Sequence, residues 1–391
     1  AHDNQANRFL TRPHISVHHG YNMEKRSLGN TDLQLTLLGI GGYHLVELST
    51  AEAHRLLNMY LDKGGNYVET AAAYGKGISE QKVGRSIAGR RSEYVLATKT
   101  MDRGKKEAEA SINNSLKTLK TDYVDILFIH RVQTDDELNA ALSPDGAVRA
   151  AEDARKAGKV RYIGISGHGR QSTMEKGIEQ YPFDVAMTGF NYLDRFNYPR
   201  VEQNLLPRAL EKGMGFIGMK ALADGYLYRS YERAIRYTLS LPITCLVLGM
   251  NTEEYLANDF AAAETFVPLS DAEREQLLRE APELGDYVCR LCGKCRQDGF
   301  DPPVYFILEG LFDRQMDNRR MPDTSHYAMR EYLRYWFGQY DEAKQEYAHL
   351  SQKIDPKKDY SHLNKLCPYG IDIDRKLKIV HDKLGGDNYI Y

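Results

Sequence analysis

Residues 94–130 read YVLATKTMDRGKKEAEASINNSLKTLKTDYVDILFIH. Two apolar runs, YVLATKT (94–100) and YVDILFIH (123–130), flank KEAEASINNSLKTLK (106–120), whose apolar residues recur every three or four positions. The runs are continuously apolar rather than alternating, as strands covered on both faces are. Two parallel strands need a crossover of a dozen residues or more, usually a helix. The unit repeats outward in both directions. Strand-like runs occupy 35–42, 66–70, 160–166, 184–190, 215–221 and 245–250. Helical patterns lie between them at 50–64, 147–159, 200–213 and 230–241, several closed by a glycine that suits a left-handed cap. Eight strands each followed by a helix, over roughly 250 residues, predict an α/β fold of the closed (β/α)8 TIM-barrel type. An open doubly wound sheet is the competing architecture. It asks for GxGxxG after an early strand, and GIGGYHL (39–45) lacks that spacing.

The chain has 391 residues and a formal charge of −2, so nothing in its charge points to nucleic acid. No apolar run approaches the ~18 residues that span a bilayer. Residues 1–22 form a polar arm before the barrel pattern, which runs from 23 to 265. A helical extension occupies 266–391, opening with SDAEREQLLREA behind Ser270 as N-cap. Within it EYLRYWFGQYDEAKQEYAHL (331–350) reads as a helix bent at Gly338, and the single tryptophan, Trp336, is expected to pack on the barrel. The arm suggests association with a second copy of the chain. The sequence begins at Ala rather than Met, which leaves a removed leader open, and reduced thiols favour the cytoplasm.

Those thiols are the second decisive feature. Cys289, Cys292 and Cys295 are spaced by two intervening residues, and Cys367, followed by Pro368, comes after 71 intervening residues. Three closely spaced thiolates completed by a Cys-Pro are how chains hold a [4Fe–4S] cluster. Structural zinc and disulfides are the alternatives; a zinc site usually shows two separate CxxC pairs, of which the second is missing here. Cys245, in the apolar run CLVLGM, reads as a small buried side chain.

In such barrels chemistry sits at the C-terminal ends of the strands. Glu69, Lys99 and His130 end the second, third and fourth runs, and Tyr74 lies in the loop after the second. An acid, an amine, an imidazole and a phenol on one rim suit proton transfer to a carbonyl. Lys99 is expected to depress the phenol pKa of Tyr74, Glu69 to orient Lys99, and His130 to hold the substrate oxygen.

Taken together, EKRSLGNTDLQLTLLGIGG, ETAAAYGKGISEQKVGRSI, VLATKT, DYVDILFIHRV, AGKVRYIGISGHG, FNYLDR and LGMNTEEYLANDF make residues 23–265 resemble the aldo-keto reductases. The C-terminal part resembles a branch of that family carrying a ferredoxin-like cluster motif. The resemblance implies hydride transfer between a nicotinamide cofactor and a carbonyl or alcohol substrate, with Tyr74 as general acid/base. It maps the family's tetrad onto Glu69, Tyr74, Lys99 and His130, with Glu where the family has Asp. It implies cofactor contacts at Gly42, Tyr43, Ser166, Gly167, Phe190, Lys220, Gly249, Asn251, Thr252 and Asn258. Phe190 takes the place of the aromatic that stacks on the nicotinamide, Gly167 stands where Asn is common, and Met187 stands where Gln is usual. The basic residues that grip a 2′-phosphate are not evident, as Met250 and Tyr255 occupy nearby positions, so NAD and NADP both stay open. The cluster would be structural or pass electrons to a redox partner. The readings from other classes are a barrel that has lost turnover and serves as an iron–sulfur electron-transfer or assembly subunit, and a non-redox lyase or epimerase.

Overall fold

The computed structural model describes residues 23–168, 171–315 and 340–386. Expectations for the arm at 1–22, for Trp336 and for the bend at Gly338 lie outside those residues.

A short antiparallel hairpin comes first, β1 (Lys25–Ser27) on β2 (Gln34–Thr36). Eight parallel strands follow: β3 (Leu38–Gly41), β4 (Tyr67–Glu69), β5 (Val95–Thr100), β6 (Val124–Ile129), β7 (Val160–Ser166), β8 (Val185–Gly189), β9 (Gly215–Met219) and β10 (Cys245–Leu248). They pair in chain order, and β10 closes onto β3 with Leu246 opposite Leu38. The closed eight-stranded barrel is as the sequence predicts. One run differs: 35–42 is split, its first half turned away to pair with β1 and only Leu38–Gly41 entering the barrel.

The cylinder is solid. Tyr67, Ala97, Ile126, Phe128, Val185, Met187, Ile217, Cys245 and Val247 fill it, and Leu28, Leu33 and Leu35 of the hairpin stopper its floor. The hairpin is tied down by Arg26, which donates to Leu239 O (3.1 Å) and Ile243 O (3.0 Å). Gly29 turns it at φ 54°, where an added Cβ would meet Gly215 N at 2.2 Å. Cys245 is fully buried, as expected, and burial pushes its thiol well above the ordinary range.

Helices cover the barrel with the caps their sequences advertise. Ser49 and Glu52 form a capping box at the start of Thr50–Asp62, and Thr252 caps Glu253–Glu264. The 200–213 pattern opens with a wider π-type turn, Val201–Leu205, before the regular helix Leu206–Glu211. Pro207 has no N–H to offer the carbonyl one turn back, which accounts for the irregularity.

Beyond the barrel, Ser270 and Glu273 cap the helix Asp271–Glu280. A second apolar core then gathers Cys289, Cys295, Phe300, Phe306, Phe312, Tyr360 and Leu377. Its centre is the helix Pro302–Asp313, packed against Tyr340–His349 and Ile373–Leu384. Glu309 is buried in that core and pairs with Lys376 and Lys383, each at 2.7 Å. The extension meets the barrel at Gly310, where a Cβ would lie 2.8 Å from the Cα of Asn197. Among the described residues no helix is long and apolar enough to cross a membrane.

Candidate active site

The rim of the barrel brings the four expected groups together. Glu69 ends β4 and Lys99 lies near the end of β5, paired with it directly. The Lys99 ammonium also donates to Thr70 O at 2.9 Å and to the Tyr74 hydroxyl at 3.2 Å. His130 follows β6, its ring edge-on to Tyr74 with centroids 5.8 Å apart. Tyr43 packs edge-on against the other side of Tyr74 at 5.3 Å. Glu69, Lys99 and His130 are 2–4% exposed, so they interact in a poorly screened environment.

Burial governs their protonation. It pushes the Lys99 ammonium well down, while the Glu69 carboxylate beside it favours the charged form. It also pushes His130 well below the ordinary histidine range, helped by the charges of Lys99, Arg103 and Arg131, so the imidazole is neutral. Its Nδ1 is buried and has no hydrogen-bond partner among the described residues. The depressed phenol expected of Tyr74 is not found. Burial, and after it the neighbouring Tyr43, push that hydroxyl well up. Tyr74 therefore carries its proton.

The loop bearing Tyr43 is held by a residue the sequence did not single out. Lys82, buried, donates to Leu45 O (2.7 Å), Val46 O (3.1 Å) and Leu48 O. Gly42 sits under the same loop, where a Cβ would meet Glu69 O at 2.7 Å.

The expected cofactor residues divide into two groups. Ser166, Lys220, Gly249, Asn251 and Thr252 lie at the ends of β7, β9 and β10, on the same mouth as the tetrad. Ser166 Oγ accepts the Arg131 N–H at 3.4 Å, and Lys220, at φ 61°, donates to Asp224 Oδ1 at 2.6 Å. Asn258 is half-buried on the helix Glu253–Glu264. At Gly167 a Cβ would lie 2.7 Å from Met174 Sδ, which accounts for glycine there. The second group faces inward. The Phe190 ring is buried in the strand–helix layer, edge-on to Phe216, and Met187 belongs to the barrel interior.

The cysteines form a separate site. Cys289, Cys292, Cys295 and Cys367 line one cavity together with Pro303, Phe306, Leu366, Ile371 and Ile373. All four thiols are free. Left-handed residues Leu291 (φ 55°) and Gly293 (φ 71°) fold the loop so that the Leu291 N–H reaches Cys289 Sγ at 3.4 Å. Burial pushes Cys289 up to about 12 and Cys295 up to about 11. Among the described residues no three His, Cys, Asp or Glu side chains are drawn in tightly enough to hold a single metal ion.

Similarity to known proteins agrees with this architecture. An uncharacterised oxidoreductase, YqkF, of Bacillus subtilis is 30% identical over 219 residues, covering 52% of this chain and 67% of that protein. An aryl-alcohol dehydrogenase of Pestalotiopsis microspora is 28% identical over 264 residues, covering 61% and 65%. The chain thus spans about two-thirds of the length of these curated relatives. The holo form of aldo-keto reductase AKR11C1 from Bacillus halodurans superposes with a TM-score of 0.57 at 24% identity, covering 66% of this chain and 96% of that one. It shares the fold. Residues 37–240, which carry β3 to β9 and the whole Glu69–Tyr74–Lys99–His130 group, match the aldo/keto reductase family as a family, and the chain belongs to it.

Proposed function

We propose that this chain is a nicotinamide-dependent oxidoreductase acting on a carbonyl/alcohol pair, with Tyr74 as the general acid/base. The observation that carries the reading is the hydrogen bond from Lys99 to Tyr74, with the His130 ring edge-on to Tyr74 at 5.8 Å. Tyr74 has a proton to give and faces a neutral imidazole that can hold a substrate oxygen. Glu69 fixes Lys99, and Lys99 stabilises the phenolate left after proton transfer. A bound dinucleotide supplies or accepts the hydride.

Support for a dinucleotide in the mouth comes from the cluster of expected residues at the ends of β7, β9 and β10. Glu253 and Glu254 fill the first turn of the helix capped by Thr252. Two carboxylates there oppose a 2′-phosphate, which favours NAD over NADP.

For the cysteine cavity the proposal is a [4Fe–4S] cluster. The donor set fits, with four thiols on one cavity, apolar walls and an N–H directed at a sulfur. A single zinc ion with Zn–S bonds of about 2.3 Å would need the thiols gathered on one point. Such a cluster carries single electrons or ties the extension together.

The test is anaerobic turnover of a carbonyl panel with NADH and with NADPH, beside an iron and sulfide count. Tyr74→Phe is expected to lower turnover about 10²–10⁴-fold with unchanged circular dichroism. Full activity in that variant ends the mechanism.

A further inference from the structure

The cysteine cavity and the barrel mouth are physically joined, and the join runs through two residues at the end of the helix Pro302–Asp313. Gln315 Oε1 accepts the backbone N–H of Cys289 at 2.9 Å, and its Nε2 donates to Phe196 O of the barrel at 3.1 Å. Arg314, next to it, donates to Asp194 Oδ2 and Asp224 Oδ2, both at 2.9 Å, and to Ala223 O at 3.3 Å. Asp224 gives its other oxygen to Lys220, and the Lys220 carbonyl accepts from Asn191 at 3.0 Å. Arg314 and Gln315 are 4% and 1% exposed.

The backbone on both sides of this contact is strained. Arg314 (φ 68°) and Gln315 (φ 44°) are left-handed, as are Lys220 (φ 61°), Ala223 (φ 48°) and Asp224 (φ 56°) in the loop after β9. Non-glycine residues in this region persist only where their surroundings over-determine them, and they gather at functional sites. Each side of the join holds the other in shape.

The charges indicate what the join does. Asp194 and Asp224 bring two negative charges to the mouth, balanced by Lys220 and Arg314. Of these only Arg314 comes from the extension. Withdrawing it leaves a net negative charge in a half-buried loop, which repels the pyrophosphate of a dinucleotide.

We propose that Arg314 and Gln315 are positioning residues through which occupancy of the four-cysteine cavity sets the affinity of the barrel for its dinucleotide. The proposal rests on the cluster and dinucleotide readings above. A filled cavity fixes Cys289, and the Cys289 N–H then holds Gln315. Gln315 keeps Arg314 aimed at Asp194 and Asp224, and the loop carrying Lys220 stays open to an anion. By linkage, the dinucleotide tightens the cavity's hold on its cluster equally.

The experiment uses the full chain, prepared metal-free and after anaerobic loading with iron and sulfide. NADH affinity is measured by fluorescence in both states for the wild type, Gln315→Leu and Arg314→Lys. The wild type is expected to bind NADH about tenfold more tightly when loaded, within the usual range of such couplings. Gln315→Leu should bring the ratio close to one while iron content and metal-free affinity match the wild type; Arg314→Lys should fall between. A purely structural role would lower both affinities and leave the ratio intact. A wild-type ratio of one or less, or an unchanged ratio in Gln315→Leu, overturns the proposal alone. Absence of iron uptake, or of NADH binding in either state, overturns the underlying reading and this proposal with it.

Discussion

The barrel rim and the cysteine cavity both bury groups that water would otherwise solvate, and they offset that cost in opposite ways. On the rim, Lys99 is answered by Glu69, Thr70 O and Tyr74, so the constellation is complete before anything binds. In the cavity, four thiols face one another among apolar side chains, and burial drives Cys289 and Cys295 toward the neutral form. The Lys376 charge near Cys289 is largely engaged by Glu309. One site is preorganised by its own charges. The other is a set of donors whose thiolate form needs a cation to become favourable.

Four changes would break or sharpen that contrast. The largest effect is expected from Glu69→Gln, which strands a buried ammonium and should cost about 3–5 kcal/mol by urea denaturation. An unchanged midpoint would mean the rim is not held by this pair. Next is Cys295→Ala in the iron-loaded protein, where the thermal stabilisation gained on loading should disappear. In the metal-free protein the same variant should melt close to the wild type, since a neutral buried thiol behaves as a small hydrophobe. A large loss there would show that the cavity is self-sufficient after all. Gly310→Ala pushes a methyl group against Asn197 and should cost about 1–3 kcal/mol, with the extension's proteolytic protection falling more than the barrel's.

The smallest effect is a pH dependence in the extension. Burial alone would raise Glu309, but the Lys376 and Lys383 ammonium groups outweigh it and hold the carboxyl down at about 2. A folded-state value below the usual 4.5 stabilises the fold above that pH. That contribution fades as the medium is acidified toward 2. Near-ultraviolet circular dichroism of the wild type should show the extension loosening only as the pH nears 2; a loss already complete near 4.5 would remove the assignment.

Much of this was legible in the sequence because it is written in local pattern. Continuous apolar runs gave the barrel strands, and residues at their C-terminal ends gave Glu69, Lys99 and His130. The hairpin was not legible, since three-residue strands are too short to show an alternation and β2 abuts the apolar β3. Nor was the direction of the Tyr74 shift, which depends on how deeply the hydroxyl is buried and on the Tyr43 ring packed beside it. Arg314 met Asp194 and Asp224 across 120 and 90 residues, and Lys82 met the Tyr43 loop across 34 to 37. Ion pairs and carbonyl clamps of that span leave no periodic trace.

The stoppered floor carries a consequence for biosynthesis. Residue 26 finds its carbonyl partners at 239 and 243, and β3 pairs with β4 on one side but finds its other neighbour only in β10. A ribosome must therefore release more than two hundred further residues before the first strand is paired on both sides. Closure of the cylinder is a late, long-range event, slow for the reason that distant contacts generally are. Until then an apolar edge stays open, and that interval is when a chaperone would matter most to this chain.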